Sequence, residues 1–435
     1  MVFLIPIGVM LFFISYSTAG TIRKSIDAHD GIMSVKPAVT VMLDLPEYLS
    51  VYQGIKSGDL KSLDDQISSA LRSLDRGTAN YKTADNNTTG FLTQWEALKK
   101  IDKDDDQLYQ DYLDLANSMR DAISYIGEGS RLILVSDINT YYFVASAISS
   151  IPEAAMRLFT LGNLVRQNLY DADNLIAKYN SDLADAQALG RRLTTKPYEG
   201  TIQDMPLTMF AMTDLQQMRN IQLFLVSDKD RISTSLMSAM EENSKKTVDF
   251  GDLENKLNDY RDTVDVMSGI YSRMFGFNIT NPSTAGEFMD TVTLLNTDLC
   301  QLWTQTFNFL DMQIQRNTDA ARNQMILYLA IVLVSLGIAL AFVVFITLDI
   351  NKSVRSLNTL FRGLNENDLT MSLQINSGDE FGELMKAFNG FLNILRSTFG
   401  SFKQSSQLVA DSVFDLSSSS KEITTTANEQ SASVS

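Results

Sequence analysis

An all-α protein is predicted by three features of the 435-residue sequence. It contains only 7 prolines and 22 glycines, so long elements run unbroken, and the abundant Leu, Ala, Ser, Gln and Met favour helices. Apolar residues recur at steps of three and four, the period of a helix with one buried face. Two uncharged apolar runs, 1–20 and 324–348, have the length of membrane-spanning helices, for which about 20 residues suffice.

Composition removes several function classes before any motif is read. The 36 Lys+Arg against 52 Asp+Glu leave a net charge of -16, which offers no positive field to a phosphate backbone and excludes nucleic acid as the main partner. One cysteine (Cys300) and one histidine (His29) cannot make an internal disulfide, and without other ligands they do not make a Cys/His zinc site or a catalytic thiol–imidazole pair. Asp102, Asp104, Asp105 and Asp106 lack the glycine and the closing glutamate of a calcium loop and read as a solvated helix cap. No catalytic residue and no cofactor are expected.

Taken in order, 1–20 reads as a first transmembrane helix whose cytoplasmic flank lies outside this sequence. No Lys or Arg precedes it, which argues against a signal peptide. Residues 21–323 contain no further spanning run and read as an external helical ligand-binding domain. One apolar face comprises Leu108, Tyr112, Leu115, Met119, Ala122, Ile123 and Ile126, and another Leu294, Leu295, Leu299, Leu302, Phe309 and Leu310. Breakers at Gly58, Gly77, Gly90, Asp102–Asp106, Asp137–Asn139, Pro197, Pro206, Gly251 and Asn281-Pro282 divide the domain into about six to eight helices. Helices of such length fit two stacked bundles better than one globule. The last helix is expected to run from about Thr284 into the second span, 324–348. Basic residues flank both spans almost equally, so the positive-inside rule does not orient the chain.

After the second span, Ile350, Val354, Leu357, Phe361 and Leu364 form one short seam, and Phe381, Leu384, Phe388, Phe391 and Leu395 form another. Between them, Leu369, Met371, Leu373 and Ile375 alternate as in an extended connector. The segment 349–397 resembles a HAMP domain, a parallel four-helix coiled coil built by a dimer. Asp379-Glu380-Phe381-Gly382-Glu383-Leu384 followed by Ala387-Phe388-Asn389, with Asn367-Asp368-Leu369 before them, carry that resemblance, while Ser353 stands where the family usually has proline. The resemblance implies a switch at Leu369, Asp379, Glu380 and Gly382.

Along 398–435 the heptad continues through Phe402, Val409, Leu416 and Ile423, with small residues at Thr398, Ser405, Ser412, Ser419 and Thr426. The closing run KEITTTANEQSASVS is similar to the first methylated helix of methyl-accepting chemotaxis proteins. This implies modification at Glu429 and Gln430, a truncated signalling coiled coil, and a multi-pass homodimer in the cytoplasmic (inner) membrane of a bacterium or archaeon with its sensor domain outside. The partners so implied are a chemotaxis kinase and coupling protein, reached through a missing downstream tip, and a receptor methyltransferase and methylesterase. The alternative, a sensor histidine kinase or cyclic-dinucleotide enzyme lacking its catalytic domain, shares the HAMP domain; against the kinase, no histidine follows Leu348.

The external domain resembles helical chemoreceptor sensors along SRLILVSDINTYYFVASAISSIPEAAMRL and the nitrate- and nitrite-sensing type along VMLDLPEYLSVYQGIKSG, although no arginine occurs between Arg23 and Arg72. Arg131, Asp137, Tyr141 and Tyr142 cluster near an expected turn, with Arg157 and Arg166 on the next helix. Forked hydrogen bonds from arginine could hold a small anion there. The competing reading makes these arginines surface or cap residues and the tyrosines core.

Overall fold

The computed structural model describes residues 4–81, 90–102, 107–134, 138–188, 197–244, 248–275, 283–365, 369–370, 372, 374, 378 and 380–434. The fold is all-α: among the described residues no strand occurs, apart from an isolated bridge between Pro206 and Thr284. The chain divides into two compact units, Met1–Tyr328 and Leu329–Ser435.

The first unit opens with α1 (Leu4–Val35) and α2 (Pro37–Tyr52). They part at Lys36 because Pro37 occupies the first turn of α2, where its missing N–H costs nothing. Helix α3 (Leu60–Ala79) starts at Asp59, whose carboxylate accepts from the backbone N–H groups of Lys61 and Ser62 at 3.1 and 3.2 Å. The expected break at Gly77 does not occur. Gly77 lies inside α3 against α1, where a β-carbon would come within 2.6 Å of the Ser34 side chain, so the glycine serves close helix packing. Helix α4 (Phe91–Leu98) is capped from a distance, its first N–H groups donating to Asp75 on α3 at 2.8 and 3.0 Å. Trp95 then sits between Tyr48 and Tyr112, its indole bonded to Asp64 at 2.8 Å.

Helix α5 (Leu108–Gly129) buries all seven residues of its sequence-derived face. It ends with Arg131 in the left-handed region at φ 59°, a common way to close a helix. Helix α6 (Ile138–Ala145) passes through a one-turn π segment, Ser146–Ser150, into α7 (Ile151–Tyr170). Then follow α8 (Ala172–Ala188), α9 (Met212–Ser244) and α10 (Gly251–Phe275). The last helix to begin in the first unit, α11 (Ala285–Asn365), runs without interruption for 81 residues. Its first part supplies Leu295, Leu299, Leu302, Trp303, Phe307, Leu310 and Ile314 to one buried cluster shared with the other helices. Leu294, assigned to that face from the sequence, is instead exposed.

Beyond this core α11 changes character. Among the described residues it is the one helix long and apolar enough to cross a membrane, with a mean hydropathy of 3.1 in its most apolar window and no residue of that window buried. The expected first span, 1–20, is helical from Leu4, but most of its side chains lie outside the described residues.

In the second unit, α12 (Glu380–Val434) is a single 55-residue helix. Met385 and Leu392 are buried, seven residues apart, whereas Leu384 and Phe391 remain half exposed. Arg396 donates through Nε to the Leu369 carbonyl, fixing that part of the connector. Phe402, Val409, Leu416 and Ile423 stand 62–71% exposed, an apolar seam that the chain itself does not cover.

Candidate functional site

In the first unit α2, α7, the segment 201–203 and the start of α11 enclose a cleft of about 920 Å³. Two local devices shape it. The backbone N–H groups of Ala285 and Gly286, orphaned at the start of α11, donate to the Met205 and Gln203 carbonyls at 2.9 Å each. A β-carbon at Gly286 would lie 2.9 Å from the Gln203 oxygen, so glycine lets these backbones meet at the cleft wall. Across the cleft, Gly54 turns the chain at the end of α2 with φ 77°.

Arg166 is the centre of the site. It lines the cleft, is only 1% exposed, and among the described residues its one side-chain hydrogen-bond partner is the amide of Asn163 rather than a carboxylate. One terminal nitrogen donates to Asn163 Oδ1 at 2.6 Å, while the buried Nε has no hydrogen-bond partner. The guanidinium stands 5.9 Å from the Phe159 ring centroid. A β-carbon on Gly162 would lie 3.0 Å from Arg166 Nη2, so the absence of a side chain there makes room for the charge. Burial pulls the arginine down to about 10, and the group stays cationic at neutral pH. A buried, unpaired cation is costly unless a ligand completes its shell.

The neighbouring polar groups are largely committed. Tyr109 donates to Gln53 Oε1 at 2.7 Å, and burial pushes its phenol up to about 12, so it remains a neutral donor. Asn296 donates to the Met42 carbonyl at 3.1 Å. At the rim Lys56 faces Glu47 at 3.7 Å, both about half exposed, and Asp290 is exposed. The cleft therefore holds one uncompensated positive charge at depth and acidic groups at its mouth.

The residues grouped from the sequence are separated. Arg131 is exposed, Tyr141 is 51% exposed, and Tyr142 packs partly on the core with its ring 5.8 Å from that of Tyr141. Asp137 lies outside the described residues. Arg157 is bound into an ion cluster, pairing with the buried Asp228 and donating to Glu153 at 2.7 Å, while Arg231 bridges the same two carboxylates at 2.6 and 3.0 Å. Of the five that are described, only Arg166 lines the cleft.

No protein family, curated protein or solved structure matches this chain. The residues themselves carry the functional argument.

The remaining sequence-derived positions lie in the second unit. Leu369 is half buried, Glu380 is exposed, Gly382 is buried, and Asp379 lies outside the described residues. Glu429 and Gln430 are exposed on α12, with Ser433 donating to the Gln430 carbonyl at 2.8 Å. Among the described residues no group of His, Cys, Asp and Glu is arranged to hold a metal ion.

Proposed function

We propose that the chain is the sensing and transmitting part of a transmembrane chemoreceptor, without catalytic activity of its own. One observation carries this reading: α11 forms a wall of the cleft through Met289, Val292, Thr293 and Asn296, and the same helix continues through the uncharged stretch 324–348 to Asn365. A ligand that changes the packing of the first turns of α11 acts on an element that is not interrupted before the second unit. Helix continuity transmits small shifts where packed interfaces offer two arrangements.

In this reading 1–20 and 324–348 both span the inner membrane, and 21–323 is an external sensor of long stacked helices. Residues 349–397 form a HAMP adaptor in a homodimer, and 398–435 begin the signalling coil. The exposed seam of Phe402, Val409, Leu416 and Ile423 supports the homodimer, because a second copy of the same heptad would cover it. The exposure of Glu429 and Gln430 agrees with access by a receptor methyltransferase and methylesterase. The partners of the signalling coil in this reading are a chemotaxis kinase and its coupling protein.

Topology tests the reading. In a Cys300→Ser background, Ser181→Cys should react with an impermeant thiol reagent added to intact cells, and Ser401→Cys should react only after lysis. The opposite pattern would remove the receptor assignment.

A further inference from the structure

We propose that the Arg166 cleft binds an organic monocarboxylate with an apolar body, and that Glu47 and Asp290 at its mouth exclude dianions. The proposal names the ligand class of the sensing cleft; it rests on the receptor reading for its consequence and not for the binding itself.

Charge count gives the first argument. The deep part of the cleft offers one unpaired guanidinium, with a buried Nε that has no hydrogen-bond partner. A carboxylate satisfies a guanidinium through two parallel hydrogen bonds, which no neutral ligand matches. The second cation, Lys56, is held by Glu47 at 3.7 Å, and Asp290 adds a further negative charge to the wall. A ligand with a second carboxylate would place it near these acids, where the second cation among the described lining residues, Lys56, is already paired with Glu47.

Size and lining give the second argument. About 920 Å³ lies near the upper end of the usual 300 to 1,000 Å³ for sites that enclose an organic ligand. An inorganic anion would leave most of that space to water. Leu158, Leu169, Ile202, Met289 and Val292 present apolar surface beside Arg166, and burying it against a hydrocarbon body adds to the affinity. The arrangement thus selects an acid with one charged end and one apolar end.

The test is equilibrium dialysis of labelled phenylacetate against the purified full chain in detergent micelles. Phenylacetate should bind saturably and be displaced by 3-methylbutanoate, but not by nitrate, succinate or 2-phenylethanol at equal concentration. Arg166→Met should weaken binding by about ten- to a hundred-fold without lowering the unliganded melting temperature, because it removes a buried unpaired charge. Arg166→Lys, which keeps the charge and loses the fork, should bind with intermediate affinity. The double substitution Glu47→Gln, Asp290→Asn releases Lys56 and should make succinate a competitor. Failure of both monocarboxylates to bind, displacement by nitrate or succinate in the unmodified chain, or unchanged affinity in Arg166→Met would overturn the proposal. Binding that follows these rules while downstream output stays constant would support the site and remove the receptor reading instead.

Discussion

The side-chain amide of Asn296 on α11 donates to the Met42 carbonyl on α2, the oxygen that would have accepted the N–H of residue 46 had that residue not been proline. The same relationship recurs one heptad along. In the π segment Ile151 N donates to Ser146 O, five residues back; Pro152 brings no N–H for Ala147, whose carbonyl accepts the Trp303 indole at 2.7 Å. Two prolines thus leave carbonyls open, and two side chains of α11 close them. This ties the position of α11 to the helices that line and support the cleft.

Asn296→Ala should destabilise the unliganded chain by about 1 to 3 kcal/mol, because it leaves a buried carbonyl without a donor. Pro46→Ala restores the helical N–H and should reduce the loss in the double variant, which a double-mutant cycle in chemical denaturation would detect. Additive effects would show that the two residues are not coupled through Met42.

Arg157→Ala should destabilise by about 3 kcal/mol, since it breaks a pair with the buried Asp228 and leaves only Arg231, among the described residues, to balance that carboxylate. Phenylacetate affinity should change little, because Arg157 does not line the cleft. A stable variant that has lost binding would return Arg157 to the ligand site.

Asp44 gives a pH dependence. It is buried near Cys300, its Oδ2 has no hydrogen-bond partner, and burial with help from Glu47 raises its carboxyl to about 6. The folded state therefore holds this proton more tightly than the unfolded chain, whose Asp titrates near about 3.9. The stabilisation is complete below that value and disappears as the pH rises through about 6. Asp44→Asn, neutral throughout, should raise the melting temperature at about pH 7.5, by the equivalent of at most about 3 kcal/mol, and have little effect at about pH 4. Equal shifts at both values would place the cause elsewhere.

Helical class and several faces were legible because they depend on local period. All seven residues assigned to the α5 face are buried, and the last helix starts at Ala285, next to the expected Thr284. Gly77 misled because glycine can mark a break or a close contact, and only the approach of Ser34 distinguishes them. Pro37 ends α1 without a glycine or polar cluster to announce it. The site was harder still. Arg131, Tyr141 and Tyr142 lie close to Arg166 in sequence, whereas the cleft is assembled from α2, α7, residues 201–203 and α11. The local signal for Arg166 was the pair Gly162 and Asn163 one turn earlier, a gap and an acceptor placed for a buried guanidinium.

Coupling between the cleft and the signalling coil is the central claim, and the rate of disulfide formation between two copies carrying Phe402→Cys in a Cys300→Ser background measures it. The full chain, reconstituted in lipid nanodiscs, should cross-link through this seam position. Phenylacetate, at a concentration shown by dialysis to fill the cleft, should change the rate by about two-fold or more, in line with a coupling of a fraction of a kcal/mol or greater, and Arg166→Met should abolish the change. A rate that is unaltered while phenylacetate is demonstrably bound would contradict the account.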